Sequence, residues 1–319
     1  MGSERGRYAP SPTGAMHLGN ARTALLAWLD ARARGGVFLV RVEDLDRARV
    51  VAGAEARGLD DLRWLGLDWD EGPDVGGPHA PYRQSERADL YDDAITRLLA
   101  AGRAFPCACS RADVARAASA PHADDDEGPR YAGTCRGRSR AEVEARAAAQ
   151  GRAPAIRFDG RGDEISFVDG VRGVVEPDAA GVDDFVIRRA DGTAAYQLAV
   201  VVDDAAMGIT RVVRGDDLLR STPRQLALYA ALGLAPPAFA HVPLVLAPGG
   251  ERLAKRTRPV AIADLRARGV SPEVVVGALA ASAGLVASGT FTSPRALAAA
   301  FDLTRVDKAP AVIDPARLP

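Results

Sequence analysis

Lysine is nearly absent from this chain of 319 residues. Of its 41 basic residues, only Lys255 and Lys308 are lysines, and the others are arginines. A Walker A phosphate-binding loop requires a lysine, and no lysine precedes residue 255, so this loop is excluded from most of the chain. A lysine that persists against so strong a bias towards arginine is informative, and Lys255 is therefore a candidate functional residue.

Cysteines are few and long apolar runs are missing. The chain has three cysteines, an odd number that argues against a disulfide framework. It contains no run of about 18 apolar residues and no N-terminal apolar run bounded by charge, so we expect neither a membrane span nor a secretory leader. These absences predict a soluble, cytoplasmic protein with no membrane partner, and we expect it to be a monomer.

The formal net charge of −1 hides an uneven distribution of charge. From residue 210 onward the chain has 14 basic and 8 acidic residues, whereas the first 209 residues have 27 and 34. The basic C-terminal part could dock a polyanion, although chance clustering would give the same pattern. A basic excess over the whole chain is absent, so any contact with a nucleic acid should be local.

The segment RYAPSPTGAMHLGN (residues 7–20) is the most informative part of the sequence. It predicts a short strand, a turn shaped by Pro12 and Gly14, and a helix that begins near Leu18. Free N–H groups at the start of a helix favour a phosphate, and His17 could donate a hydrogen bond to a phosphoryl oxygen. The alternative is an ordinary turn in which His17 is only a helix-start residue.

The remaining chain shows a succession of strand-like and helical patterns. A strand at 37–42 follows the first helix, and strand–helix–strand at this spacing is the unit of a parallel sheet. The apolar run at 196–202 predicts another buried parallel strand, whereas 107–140 should be irregular. The other predicted helices are 53–65, 85–101, 222–232, 261–267, 272–284 and 294–301, and the other predicted strands are 155–158, 164–168, 182–188, 209–214 and 241–246.

All three cysteines lie within one short segment. We call Cys107, Cys109 and Cys135 the cysteine cluster. Thiolates bind Zn²⁺ tetrahedrally and a fourth ligand is needed, for which His122 is the chemically common choice. Such a site would be structural, with no open position for catalysis. The alternative is a set of buried thiols without a metal.

Lys255 lies in the sequence GGERLAKR (residues 249–256), which follows the strand predicted at 241–246. This polar stretch predicts a loop. A compact ammonium group suits the moving charge of a triphosphate better than a planar guanidinium does. The alternative is that Lys255 belongs to a solvated basic loop.

Two of these motifs together resemble the signatures of class I aminoacyl-tRNA synthetases, namely HLGN at 17–20 and RLAKR at 252–256. The first loop, together with VRVEDLD at 40–46 and VRGDDLL at 213–219, resembles the glutamyl branch of that family. The similarity extends from residue 5 to about residue 260. Within the glutamyl branch, this sequence resembles the short members most.

The sequence departs from the family signatures at three positions. Asn20 replaces the usual final histidine of the first motif, and Ala254 and Arg256 replace the usual serines of the second. The short members vary at these positions, so the departures do not indicate an inactive protein.

The resemblance implies an α/β fold with the Rossmann-like nucleotide-binding fold of class I synthetases, an inserted zinc-containing subdomain and a short C-terminal helical region. Full-length relatives continue into an anticodon-binding domain, which we do not expect here. The predicted division is 1–106 for the first half of the catalytic fold, 107–190 for the inserted subdomain, 191–259 for the second half with the Lys255 loop, and 260–319 for a helical remnant.

The resemblance also implies a binding site for L-glutamate. Glutamate carries two carboxylates and one ammonium, so its pocket should offer two cations and one anion. Arg214 would grip the side-chain carboxylate with its guanidinium fork, and Glu43 would take the ammonium. Taken alone, either residue could instead form a structural ion pair or a surface charge. The implied glutamate-binding residues are Arg7, Ser11, Glu43, Tyr196 and Arg214.

ATP with Mg²⁺ is the implied cofactor system. His17 and Lys255 would be catalytic, with the lysine stabilising the departing pyrophosphate. Gly19 has no side chain, so a purine or ribose could lie against the backbone there. The implied ATP-binding residues are Pro10, His17, Gly19, Asn20 and Lys255.

The short members also share a Cys-x-Cys…Tyr-x3-Cys pattern, and YAGTC at 131–135 matches it. The resemblance therefore implies that Tyr131 completes a zinc site with the cysteine cluster, at one ion per chain. His122 is the fallback for the fourth ligand.

The implied reaction is ATP-dependent formation of glutamyl-adenylate without tRNA. Short members of the branch transfer glutamate to queuosine, the modified wobble base of tRNA(Asp), so this tRNA is the implied partner. One alternative is a truncated enzyme that charges a tRNA 3′ end. The other is a catalytically dead paralogue that binds nucleic acid, which the intact glutamate-binding set and Lys255 disfavour.

Overall fold

The computed structural model describes residues 4–117, 130–246, 260–314, 316 and 318. Its strands are short, from two to five residues each. The strands are β1 (Arg5–Tyr8), β2 (Val37–Val40), β3 (Ala104–Cys107), β4 (Ala155–Phe158), β5 (Phe167–Asp169), β6 (Gly173–Val175), β7 (Phe185–Arg188), β8 (Arg211–Gly215), β9 (Ala238–Val242), β10 (Val245–Leu246) and β11 (Ala311–Val312).

The longest helix in the described ranges has 16 residues, and no helix there is long and apolar enough to cross a membrane. Several helices begin with proline at their first positions, where its missing N–H costs nothing. The helices are α1 (Leu18–Ala33), α2 (Ala54–Trp64), α3 (Ala88–Ala100), α4 (Arg111–Ala117), α5 (Arg140–Ala148), α6 (Tyr196–Ala206), α7 (Thr222–Leu232), α8 (Ile262–Ala267), α9 (Pro272–Ala281) and α10 (Pro294–Ala298).

Two parallel strand pairs form the centre of the molecule. β1 pairs with β2, and β8 pairs with β9 so that Arg214 lies opposite His241. The two pairs are joined where the backbone N–H of Thr210 donates to the carbonyl oxygen of Arg5 at 3.0 Å. Because all four strands run in the same direction, their carboxyl ends meet at one edge, where ligands of such folds usually bind.

Helix α1 is buried on most of its faces. Leu25, Leu26 and Leu29 are at most 1% exposed, and the helix packs against β1, β8, α9 and α10. The C-terminal helices α9 and α10 therefore cover faces of α1 that the strands leave open. Arg22 is also buried in α1 and donates to the carbonyl oxygen of Pro243 at 2.6 Å, which ties the helix to the chain after β9.

A second group of strands is antiparallel. β4 lies between β3 and β7 in a three-stranded sheet, while β5 and β6 form a hairpin. The hairpin reaches back to the parallel strands, since the N–H of Gly170 donates to the carbonyl oxygen of Phe239 at 2.9 Å. The carboxyl end of β5 is therefore brought to the strand that carries His241.

The predicted strand at 196–202 is wrong, because these residues lie in α6. An apolar run of this length fits either a buried strand or a buried helix by periodicity alone. The run is apolar because α6 packs against α3, α7 and β7 and is buried on several sides.

Most other elements were predicted close to their observed bounds. The helix at 222–232 and the strand at 155–158 are confirmed. The strand predicted at 241–246 is instead divided between β9 and β10, with Pro243 between them. The segment 107–140 was expected to be irregular, but it contains α4, whose first turn is stabilised by hydrogen bonds between Ser110 and Asp113.

Candidate active site and metal centre

The loop between β1 and α1 forms one wall of the candidate site. His17 is the N-cap residue of α1, and its Nδ1 accepts a hydrogen bond from the backbone N–H of Asn20 at 3.4 Å. Because Nδ1 is the acceptor, Nε2 of the neutral ring is left to donate. Burial lowers the pKa of His17, which favours this neutral form. Gly19 leaves room for the ring, since an added Cβ would lie 3.2 Å from Nδ1.

A cavity of about 630 Å³ lies between this loop and the carboxyl ends of β1, β2 and β8. We call it the central cavity, and its size is typical of small-molecule sites. It brings together all the predicted glutamate- and ATP-binding residues that the structure describes. These residues are Arg7, Pro10, Ser11, His17, Gly19, Asn20, Glu43, Tyr196 and Arg214.

A buried ion-pair network holds Arg7 at the central cavity. Nε and Nη2 of Arg7 each lie 3.3 Å from an oxygen of Asp204. The same carboxylate accepts from Arg41 at 2.6 Å, and Arg41 also donates to Glu43 at 3.1 Å. Burial acts to raise the pKa of Asp204, but Arg7 and Arg41 outweigh it and hold that pKa below its usual value.

At Glu43 burial has a larger effect on the pKa than the neighbouring arginines, which is the reverse of Asp204. Burial raises the pKa of Glu43 above the usual value, even though Arg41 and Arg7 act to lower it. The carboxylate therefore has less positive charge around it than its burial demands. A ligand ammonium placed beside Glu43 would supply the missing charge.

Arg214 is held by neutral groups. Its Nε donates to Nε2 of His241 at 3.0 Å, and its Nη2 donates to the hydroxyl of Thr222 at 2.9 Å. Its Nη1 is buried and has no hydrogen-bond partner within the described part of the chain. A buried guanidinium nitrogen without a partner is costly, so Nη1 and the second hydrogen of Nη2 are available for a ligand carboxylate.

Tyr196 and Ser11 complete the polar lining of the central cavity. Tyr196 is the first residue of α6 and is half-buried, whereas Ser11 is exposed on the first loop. Burial raises the pKa of the Tyr196 hydroxyl, so that group stays protonated and can donate. The two side chains therefore add one half-buried and one exposed hydroxyl to the site.

The cysteine cluster lies in a separate small core. Its three Sγ atoms lie within 4.8 Å of one another, and those of Cys109 and Cys135 are 3.6 Å apart. The hydroxyl of Tyr131 is 3.3 Å from Cys107 Sγ and 3.7 Å from Cys109 Sγ. Sulfur ligands about 2.3 Å from a tetrahedral ion lie about 3.8 Å apart, so this buried group could hold a metal ion.

Arg157 lies beside the cysteine cluster, and the sequence analysis did not predict this contact. Its Nε donates to Cys107 Sγ at 3.4 Å, and its guanidinium carbon lies 4.0 Å from the centre of the Tyr131 ring. This positive charge therefore lies beside one of the sulfur atoms that could bind a metal ion. One arginine in a strand carries no sequence signal in a chain where arginine is so common.

The sequence analysis also missed the buried hydrogen-bond networks around the two cavity arginines, which comprise Asp204 and Arg41 at Arg7, and Thr222, His241 and Asp169 at Arg214. A signal existed for Asp204, because buried carboxylates directly after an apolar run need partners. No comparable signal existed for Asp169 and His241, which lie 72 residues apart and meet only in the fold.

Two predicted residues, Lys255 and His122, lie outside the described residues. The catalytic role of Lys255 and the possible ligand role of His122 therefore stay predictions from the sequence.

Comparison with known sequences identifies relatives over nearly the whole chain. The family described as tRNA synthetases class I (E and Q), catalytic domain, matches residues 4–318. A Glutamyl-Q tRNA(Asp) synthetase from Symbiobacterium thermophilum is 57% identical over 96% of this chain and 94% of that protein. Glutamate–tRNA ligase 1 from Halorhodospira halophila is 46% identical over 98% of this chain and 65% of that protein.

Solved structures give the same result for the fold. A glutamate tRNA ligase from Elizabethkingia meningosepticum, determined in complex with its amino acid, aligns with a TM-score of 0.84 at 33% identity. The alignment covers 98% of this chain and 67% of that one, and it shows a class I synthetase fold. The resemblance inferred from the motifs is thus confirmed, and the chain belongs to the class I tRNA synthetases (E and Q).

Proposed function

We propose that this protein activates L-glutamate with ATP, without tRNA, and transfers the glutamate to queuosine at the wobble position of tRNA(Asp). The central cavity carries the proposal, because it gathers Arg7, Glu43 and Arg214 beside the His17 loop. Two cations and one anion complement the charges of glutamate. The identity of 57% to a Glutamyl-Q tRNA(Asp) synthetase, against 46% to a glutamate–tRNA ligase, favours queuosine as the acceptor.

In this proposal the glutamate-binding residues have distinct tasks. Arg214 receives the side-chain carboxylate through Nη1 and Nη2, and Glu43 receives the ammonium. Arg7 and Ser11 face the α-carboxylate, which is the group to be activated. Tyr196 closes the remaining wall. The unpaired Nη1 of Arg214 and the raised pKa of Glu43 support these assignments.

ATP lies against the start of α1, where Pro10, Gly19 and Asn20 contact it and Nε2 of His17 donates to a phosphoryl oxygen. A carboxylate oxygen of glutamate attacks the α-phosphorus, and pyrophosphate leaves. Lys255 stabilises the charge that develops on the pyrophosphate. Mg²⁺ bound with ATP supplies further neutralisation of the phosphates. A queuosine hydroxyl then attacks the acyl carbon, which releases AMP and forms a glutamyl ester.

For the metal centre we propose one structural zinc ion, held by Cys107, Cys109, Cys135 and Tyr131. The buried position of these groups and the sulfur spacing support a tetrahedral ion. His122 is the fallback for the fourth position.

The proposed domains follow the sequence prediction. Residues 1–106 and 191–259 form the two halves of a Rossmann-like catalytic fold, which the parallel pairs β1–β2 and β8–β9 support. Residues 107–190 form the inserted subdomain, and 260–319 form a helical remnant that contacts the tRNA stem. We further propose that the protein acts as a cytoplasmic monomer without a membrane partner.

Two assays test the proposal. ATP–pyrophosphate exchange should depend on L-glutamate, should not require tRNA, and should not occur with aspartate or glutamine. Labelled glutamate should then appear on queuosine when tRNA from queuosine-containing cells is digested to nucleosides, and should be absent with tRNA that lacks queuosine. Equal labelling of both tRNA pools, or label on a 3′-terminal adenosine, would instead show a truncated glutamyl-tRNA synthetase. Exchange and labelling that are both absent would indicate an inactive paralogue.

A further inference from the structure

A chain of buried hydrogen bonds extends from Arg214 to the β5–β6 hairpin. His241 is fully buried, with Nε2 at 3.0 Å from Nε of Arg214 and Nδ1 at 2.6 Å from Oδ2 of Asp169. Asp169 is itself 2% exposed, and its other oxygen accepts from the backbone N–H groups of Val171, Arg172 and His241. None of the roles proposed above uses His241 or Asp169.

The directions of these hydrogen bonds are determined by Arg214. A guanidinium can only donate, so Nε2 of His241 must be the acceptor and carry no proton. The imidazole proton then resides on Nδ1, where it is donated to Asp169. Burial lowers the pKa of His241, despite the opposing effect of Asp169, and so favours the neutral ring that this arrangement requires.

The two cavity arginines differ in the charge of their partners. Arg7 has Nε and Nη2 occupied by the carboxylate of Asp204. Arg214 is held instead by a neutral imidazole and a neutral hydroxyl, and its Nη1 is unpaired among the described residues. A neutral partner fixes the orientation of a guanidinium without competing with a ligand carboxylate for its charge.

We propose that His241 and Asp169 are positioning residues that orient Arg214 for the side-chain carboxylate of glutamate and thereby set the preference for glutamate over glutamine. The proposal rests on the function proposed above. Asp169 fixes the tautomer of His241, and His241 fixes the plane of the Arg214 guanidinium. The inserted β5–β6 hairpin therefore contributes to amino-acid selection without touching the amino acid.

The test compares His241→Leu with His241→Gln in ATP–pyrophosphate exchange. Leucine removes the acceptor for Arg214, whereas the glutamine side-chain oxygen can replace Nε2. For His241→Leu we expect the KM for glutamate to rise about 10- to 100-fold, since one charge-assisted hydrogen bond is lost, with the KM for ATP changed by less than about threefold. Discrimination against glutamine should fall. His241→Gln should restore most of the glutamate affinity.

Asp169→Asn and Val212→Ala complete the series. Asp169→Asn keeps the volume but removes the charge that fixes the tautomer, so its KM for glutamate should lie between those of the wild type and His241→Leu. Val212 is fully buried in β8 and lies outside the hydrogen-bond chain. Val212→Ala should lower stability while leaving both the KM for glutamate and the preference over glutamine unchanged.

The outcomes separate this proposal from the proposed function. A wild-type protein without glutamate-dependent exchange would overturn the function. An active wild type with equal KM values in His241→Leu and His241→Gln would overturn the positioning role alone. Nitrogen-15 spectroscopy of the imidazoles in the unliganded wild type gives a check that is independent of activity. It should show His241 protonated at Nδ1, and a proton on Nε2 would refute the hydrogen-bond chain.

Discussion

At the central cavity the cations are held by side chains from distant parts of the chain, whereas the cysteine cluster comes from one segment of 29 residues. Arg7 is bound by Asp204, and Arg214 is bound by His241 and Thr222. These groups have protein partners before any ligand binds. The thiols of the cysteine cluster contact mainly one another and Tyr131, and thiols are weak hydrogen-bonding groups.

This difference indicates that the two regions depend on ligands in different ways. The central cavity should keep its geometry without substrate, because its arginines are already oriented. The cysteine cluster should gain much of its stability from a bound metal, as small metal sites generally do. The cysteine cluster also packs in its own small hydrophobic core, apart from the two larger ones. Damage to one region should therefore be measurable without loss of the other.

The largest effect is expected for Arg214→Ala. Removing one partner of a buried carboxylate–guanidinium pair costs about 3–5 kcal/mol, so kcat/KM for glutamate in exchange should fall about 10³-fold. The metal content should stay unchanged, because Arg214 lies outside the cysteine cluster. Arg214→Lys is the matched control, since it keeps the charge but not the fork. A loss below about tenfold in Arg214→Ala would contradict the assigned role.

A smaller effect is expected for Tyr131→Phe, which removes one hydroxyl from the metal centre and keeps the ring. Metal affinity should fall at least about tenfold, measured by competition with a chelator and by elemental analysis. Glutamate-dependent exchange should stay within about threefold of the wild type, because the cavity arginines are untouched. His122→Ala should retain the metal. If the two variants behave in the reverse way, His122 is the fourth ligand.

The sequence could predict those elements whose ends and periodicity are encoded by neighbouring residues. The N-terminus of α1 at His17 and the helix at 222–232 follow from turn residues and apolar periodicity, and the structure confirms both. The predicted glutamate- and ATP-binding residues that the structure describes also line one cavity, while their roles stay predictions. Tyr196 was placed in a strand because its apolar run has no distinctive period, yet its position at the cavity does not depend on that error.

The supporting hydrogen-bond partners could not be predicted in the same way. Asp169 and His241 are ordinary residues in their own segments, and their 2.6 Å contact exists only because the β5–β6 hairpin folds back onto β9. Likewise, Arg41 could be read from the sequence as a surface charge, but it is fully buried between Asp204 and Glu43. Such long-range pairs carry no periodicity, turn or spacing that a single sequence reveals.

The smallest effect concerns the pH dependence of stability. Burial lowers the pKa of His241 below its ordinary value of about 6.5, so the folded protein keeps this ring neutral where the unfolded chain takes up a proton. The stabilisation is therefore fully present above about pH 6.5 and is lost as the pH falls from there towards the folded pKa. A single proton gives a slope of at most about 1.4 kcal/mol per pH unit.

Urea unfolding of the wild type and His241→Gln between about pH 7.5 and about pH 5.5 measures this contribution. The free energy of unfolding should decrease with falling pH less steeply in His241→Gln than in the wild type. The pKa of His17 is also lowered by burial, but His17 is present in both proteins and its contribution cancels. Tyr131→Phe changes the cysteine cluster and leaves His241 in place. Its free energy of unfolding should therefore change with pH as steeply as that of the wild type, even where its absolute stability is lower.

Equal pH slopes of the free energy of unfolding in the wild type and His241→Gln would mean that His241 is protonated to the same extent in the folded and unfolded states. A pKa of His241 lowered by burial in the folded protein would then be refuted.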